Sequence, residues 1–253
     1  MSQLRMLLPG PAVVGDLDDD RPDASQALAD LYAYPDPVPA HGWVRANMIS
    51  TLDGSATAGD GLSGTIGGAA DRMAFQVLRG LADVVLVGAG TARAEGYHLP
   101  AAQPEFAERR HAAGQHPAPA LAVVTRTGAL PPTVAAPVLV VTCANADVDT
   151  LRRRFGPDRV VVAGEDDVDP VLAAAQLAAR GLPRVLLEGG PMLLGRFVGS
   201  GRLDELCLTL SPLLVGGEGP RITRGESGDL RLRLAHLVEC DGLLLGRWLV
   251  QPG

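Results

Sequence analysis

From Trp43 onward, short apolar runs alternate with helix-length segments, and this alternation most limits the folds open to the chain. The run Asp83–Gly88 is nearly continuous in apolar residues, the pattern of a strand covered on both faces. Further strands are expected at Trp43–Ile49, Leu121–Thr125, Val138–Thr142, Val160–Ala163 and Arg184–Leu187. Between them, Ala70, Ala74, Val77, Leu78 and Leu81 make a helical stripe, and helices fit 147–155 and 170–180. The last of these has Asp169 to cap it, Pro170 at its first position and Gly181 just past its end. After residue 200 only strands follow, at Glu205–Leu210, Arg231–Val238 and Leu243–Val250. The expected fold is a three-layer α/β sandwich, its central sheet mostly parallel and finished by antiparallel C-terminal edge strands.

Residues 41–253 form the main domain in this reading, and residues 1–40 an extension packed on it. A helix over 24–34 places Leu28, Leu31 and Tyr32 on one face and stops at Pro35, Pro37 and Pro39. The acidic run Asp16, Asp18, Asp19 and Asp20 reads as a solvated loop. The stretch 100–119, rich in Ala, Pro, His and Gln, reads as an exposed loop.

Charge and composition remove several classes of function. A net charge of −7 makes nucleic acid a poor partner. All 22 basic residues are arginine, which excludes lysine Schiff-base chemistry and leaves anion binding to arginine, backbone amides and helix N-termini. Cys143, Cys207 and Cys240 lack zinc or redox spacing, and the five histidines lack ligand spacing, so no metal is expected. No apolar stretch has membrane-spanning length, and Pro9, Gly10 and Pro11 break the first apolar run, so a cytoplasmic location is expected. The signatures of zinc deaminases, α/β-hydrolases, P-loop proteins and zincins do not occur.

Four segments carry polar chemistry, each at the C-terminal end of an expected strand, where open α/β sheets bind ligands. Asn47–Gly54 enters a turn with Ser50, Thr51 and Asp53; a carboxylate capping its own turn explains Asp53 as well. Gly88-Ala89-Gly90-Thr91, with Glu95 four residues on, lets a ligand approach the backbone, and also suits a bare tight turn. Glu188-Gly189-Gly190-Pro191 leads into Met192-Leu193-Leu194-Gly195; the glycines and a helix N-terminus suit a pyrophosphate, and Glu188 suits the paired donors of an amino-pyrimidine or amino-pterin. A Gly-Gly-Pro turn without ligand is the alternative. Thr125-Arg126-Thr127-Gly128 offers a hydroxyl and a guanidinium to a nucleotide 2′-phosphate, or is a solvated turn.

Together these segments resemble the RibD C-terminal family, the reductase domain of bacterial riboflavin biosynthesis, which has a dihydrofolate reductase-like fold. The matches are Ser50-Thr51-Leu52-Asp53-Gly54, Leu78-Arg79 with Val84–Thr91, Leu187–Pro191, and Asp204-Glu205 followed by Ser211-Pro212 and Gly216-Gly217. Their order and spacing over about 43–250 make the resemblance specific. The chain looks similar to a stand-alone actinobacterial branch in which dihydrofolate reductase activity is suspected. The resemblance implies an NADPH-dependent reductase acting on a pyrimidine or pterin metabolite. It implies substrate contacts from Ser63, Arg79, Leu99 and Glu188, and NADPH contacts from Ser50, Thr65, Gly90, Thr91, Glu95, Thr125, Arg126 and Gly189, and from Gly190 to Arg196. Asp53 would organise the floor beneath the nicotinamide, and Glu188 or an ordered water would supply a proton. The chain departs from the family at Ser55, where a lysine is common, and after Leu99, where an arginine is common. Two other readings stay open: a non-catalytic NADPH- or flavin-binding protein on the same fold, and a deazaflavin-dependent reductase. The apolar C-terminal strands suggest a two-fold homodimer.

Overall fold

The structure is a computed structural model and describes residues 3–10, 12–16, 23–135, 137–225 and 228–252. Among these residues eleven strands form one sheet. They are β1 (Gln3–Leu8), β2 (Ala12–Asp16), β3 (Trp43–Thr51), β4 (Val84–Gly88), β5 (Ala120–Val124), β6 (Leu139–Thr142), β7 (Val160–Val162), β8 (Arg184–Leu187), β9 (Glu205–Ser211), β10 (Leu232–Cys240) and β11 (Leu243–Val250). The helices are α1 (Asp23–Leu31), α2 (Ala69–Leu81), α3 (Ala89–Ala94), α4 (Ala107–Ala112), α5 (Val148–Phe155), α6 (Pro170–Ala179) and α7 (Pro191–Gly199). Across the sheet the order is β2-β1-β10-β11-β9-β3-β8-β4-β5-β6-β7. The pairings from β9 through β7 are parallel, and those from β9 back to β2 are antiparallel.

Side-chain alternation along β4 shows why three layers form. Val85 and Val87 face one core with α1, α2 and α5, and Val84 and Leu86 face another with α6 and α7. Helix ends follow their capping residues. The Asp169 carboxylate accepts from the amides of Val171 at 2.7 Å and Leu172 at 3.1 Å, Pro170 opens α6, and Gly181 takes φ +77° after its end. Asp147 caps α5 in the same way.

Two regions differ from expectation. The antiparallel C-terminal strands are present, but the sheet continues past β10 through β1 and β2, two N-terminal strands that the sequence reading left out. Asp16 closes β2, and Asp18, Asp19 and Asp20 lie outside the described residues. The stretch 100–119 is not a bare loop. Phe106 is buried, and α4 brings the buried Arg110 against the end of α2, where it donates to Gly80 O at 2.9 Å and Ala82 O at 2.7 Å. Its guanidinium satisfies carbonyls that the helix end leaves without intrahelical donors.

A buried charge cluster ties α1 to the sheet. Parallel register sets Arg45 of β3 opposite Glu205 of β9. Arg45 Nε donates to Glu205 Oε1 at 2.6 Å, and Arg247 Nε of β11 donates to the same oxygen at 2.9 Å. The two arginines also reach the carbonyls of Leu31, Tyr32 and Ala33 where α1 ends. Burial alone would raise the Glu205 carboxyl; the arginines outweigh it and hold it low.

His236 packs edge-on against Tyr32, with ring centroids 4.7 Å apart, beside this cluster. Burial, then repulsion from Arg247, pushes its imidazole down to about 4. The unfolded chain binds this proton from pH ~6.5 and the folded chain only near 4, so stability is full above the unfolded value and falls as the pH drops between them. We expect this histidine to remove about 3 kcal/mol between pH 7 and pH 4. Urea unfolding across that range tests it: His236→Phe should be less pH-dependent than the parent, and equal slopes would contradict it.

Candidate functional site

Three strand ends meet at one side of the sheet. The Gly88 amide at the end of β4 donates to Gly189 O at 2.9 Å, which joins the turn after β8 to the start of α3. Gly189 takes φ +88°, and the peptide between Gly189 and Gly190 is cis. A side chain at Gly190 would place its Cβ 2.4 Å from Thr91 Oγ1, so glycine there lets the Thr91 hydroxyl stand against the turn, and any larger residue must turn it away.

The approach leaves a cavity of about 340 Å³. It is lined by the predicted Gly90, Thr91, Arg126, Gly190, Pro191, Met192, Leu193 and Arg196, and also by Asp167 and Val168. Pro191 opens α7, and the free amides of its first turn face outward by the geometry common to helix starts. Three segments far apart in sequence thus supply backbone donors and two arginines to one concavity.

The other predicted residues fall around it. Leu194 packs in the core, and Gly195 lies against the Arg224 carbonyl, which a Cβ would approach to 2.1 Å; these two build the helix. Thr125 is buried and donates to Ala129 O at 3.2 Å, shaping the turn that presents Arg126. Ser50 is buried and donates to Thr51 O. Ser63 Oγ donates to Glu95 Oε1 at 3.1 Å, so a predicted substrate residue and a predicted cofactor residue hold each other. Thr65 lines a second cavity of about 270 Å³, with the start of α2, Ser211 and the β10–β11 turn. Leu99 is exposed outside both cavities.

Asp53 works as a strap. It accepts from the amides of Val215 at 2.9 Å and Gly216 at 2.6 Å and from the Thr51 hydroxyl, so it ties the turn after β3 to the loop after β9. The Thr51 bond, then the Gly216 amide, hold its carboxyl below the usual range.

Glu188 is engaged on both oxygens. Arg79 Nε donates to Oε1 at 2.8 Å, Arg79 Nη2 to Oε2 at 2.7 Å, and the Tyr97 hydroxyl to Oε2 at 2.8 Å. The fork geometry is the strong bidentate kind. Burial, then the Glu188 charge, holds the Tyr97 phenol well above its ordinary range. Arg79 and Glu188, assigned by resemblance to separate parts of a substrate, face one another here.

The sequence reading missed Tyr97, Asp167 and Asp71. Asp71 sits in the first turn of α2, directly after cavity-lining Gly67–Ala70, and bonds Thr209. Burial raises its carboxyl, with Thr209 and Arg72 opposing. An acidic residue at a helix start usually reads as a dipole partner, so only tertiary burial separates it from its kind.

The model of the RibD C-terminal domain family matches residues 42–245. A 2,5-diamino-6-ribosylamino-4(3H)-pyrimidinone 5′-phosphate reductase of Archaeoglobus fulgidus is 27% identical over 201 residues, 77% of this chain and 92% of the relative. A riboflavin biosynthesis protein RibD of Bacillus amyloliquefaciens is 29% identical over 205 residues, 77% of this chain and 52% of the relative. The crystal structure of a pyrimidine reductase-like protein from Corynebacterium diphtheriae matches with a TM-score of 0.75 and 27% identity, covering 89% of this chain and 99% of the other.

Proposed function

The chain belongs to the RibD C-terminal domain family, and on that premise we propose that it is a reductase that transfers a hydride from NADPH to a pyrimidine or pterin metabolite. The observation that carries the reading is the cavity where the ends of β4, β5 and β8 meet the start of α7 between two arginines. The residues present suit a dinucleotide: Gly190 supplies space that any Cβ would fill, the first amides of α7 suit a pyrophosphate, and Arg126 suits a 2′-phosphate. When bound, the nicotinamide supplies the hydride. At about 340 Å³ the cavity holds part of a dinucleotide, which leaves the nicotinamide end outside it.

The chain's own residues position and shield. The bidentate Arg79–Glu188 pair and Tyr97 form a fixed polar wall directly before Gly189. Asp53 holds two loops together through backbone amides. Ser55, where the family's lysine is common, is buried and donates to Thr57 O at 2.7 Å, so this position offers no cation to a substrate phosphate. With no cation at this position, Arg79 reaches a substrate phosphate only by giving up part of its bond to Glu188. This requirement favours an unphosphorylated heterocycle, or a protein that binds NADPH without turning it over.

The relatives' named substrate is the natural first test. NADPH oxidation should be followed with 2,5-diamino-6-ribosylamino-4(3H)-pyrimidinone 5′-phosphate, its unphosphorylated analogue and a dihydropterin. Turnover of at least one is expected, with the phosphate adding little. Tight NADPH binding with no turnover across the panel would replace the enzyme by the binding protein. We also infer a cytoplasmic homodimer. The exposed apolar residues Leu52, Leu213, Leu214 and Val215, Leu214 at 79%, support the interface, and three buried free thiols suit a reducing compartment. Sedimentation should show the dimer at micromolar concentration.

A further inference from the structure

The cavity contains an acid that works against its proposed ligand. Asp167, in the loop after β7, lines it together with Arg126 and Arg196. In dinucleotide sites a carboxylate receives the ribose 2′-hydroxyl and selects the unphosphorylated cofactor, whereas an arginine accommodates the 2′-phosphate. A free Asp167 would therefore oppose Arg126.

Asp167 is not free. Arg196, in α7, donates from Nη2 to Asp167 Oδ2, and its Nη1 reaches Val168 O at 3.4 Å. Burial alone would raise the Asp167 carboxyl; Arg196, the Val168 amide and the Arg126 charge outweigh it and hold it low. Arg126 comes from a different strand end and has an exposed side chain. The three side chains sum to one positive charge, and the acid is already committed to one of the two cations.

We propose that Arg196 sets the choice of dinucleotide by neutralising Asp167, leaving Arg126 to receive the 2′-phosphate. The inference rests on the NADPH reading above and divides its arginines into two tasks. Arg196 is then a positioning residue that acts through Asp167, and Asp167 is the latent determinant for NADH.

Binding of NADPH, NADH, 2′,5′-ADP and 5′-AMP is measured calorimetrically on the full chain and on Arg196→Met, Asp167→Asn and the double variant. The parent should prefer NADPH over NADH and 2′,5′-ADP over 5′-AMP. Arg196→Met should lose roughly tenfold to a hundredfold in NADPH affinity and gain affinity for NADH, whose 2′-hydroxyl the uncovered acid can receive. Asp167→Asn should keep or sharpen the NADPH preference. The double variant should recover most of what Arg196→Met lost, because the uncovered acid has gone. A double variant as weak as Arg196→Met would overturn the proposal, since Arg196 would then touch the phosphate itself. Equal losses toward NADPH and NADH would also overturn it, as the mark of a structural role. A parent that binds neither dinucleotide sinks the reductase reading before the variants are compared.

Discussion

Gly190→Val should cost NADPH roughly a hundredfold in affinity while leaving the chain folded. The estimate corresponds to about two charge-assisted hydrogen bonds lost at the pyrophosphate. The cause is local. Gly190 has φ −73°, which valine tolerates, but its Cβ would fall 2.4 Å from Thr91 Oγ1, and both residues line the cavity. The new side chain either displaces Thr91 or fills the space itself. Removing the obstacle should restore binding in part, so Thr91→Gly in the Gly190→Ala background should bind better than Gly190→Ala alone. Fluorescence titration with NADPH and a thermal melt without it separate lost binding from lost fold. Parent-like affinity in Gly190→Val would mean that the ligand lies elsewhere.

Glu205→Leu should destabilise the protein by about 3–5 kcal/mol, the usual cost of stranding a buried charge. Arg45 and Glu205 are both fully buried, and Arg45 would lose its anionic partner, keeping its bond to the Tyr32 carbonyl and its place over the Tyr34 ring. For a chain of this length that loss is worth roughly 10 °C in melting temperature. Adding Arg45→Met should return much of it, because a buried ion pair is weak net stabilisation while half of one is a liability. Arg247 would still hold the carbonyls of Leu31 and Ala33, so α1 should stay docked in the double variant. Urea unfolding of the three proteins decides the point; a single variant within about 1 kcal/mol of the parent would contradict it.

The two variants also mark what the sequence made legible. The parallel strands announced themselves because covered strands are apolar on both faces, as in Val84–Gly88. The ends of α6 were legible because Asp169, Pro170 and Gly181 act within a few residues of where they stand. The turn from β8 into α7 was legible for the same reason, since Gly189, Gly190 and Pro191 act where they stand. Long-range pairings were not. Arg45 and Glu205 interrupt apolar strands with opposite charges, a signal open to pairing only once the strand order is known. Arg196 and Asp167 stand 29 residues apart and meet through tertiary packing alone. Local pattern put Arg110 within an exposed loop, yet it closes the end of α2 from about thirty residues away. The strands β1 and β2 were hidden because Pro9 and Gly10 interrupt a short apolar run, and those breakers prove to lie in the turn between two strands.

A crystal structure of the protein with NADPH tests the account most directly. The pyrophosphate should lie within hydrogen-bond distance of the Met192 and Leu193 amides, with the 2′-phosphate on Arg126. Density for the dinucleotide in the other cavity, beside Thr65 and Leu243, or a cradle that stays closed at saturating NADPH, would contradict it.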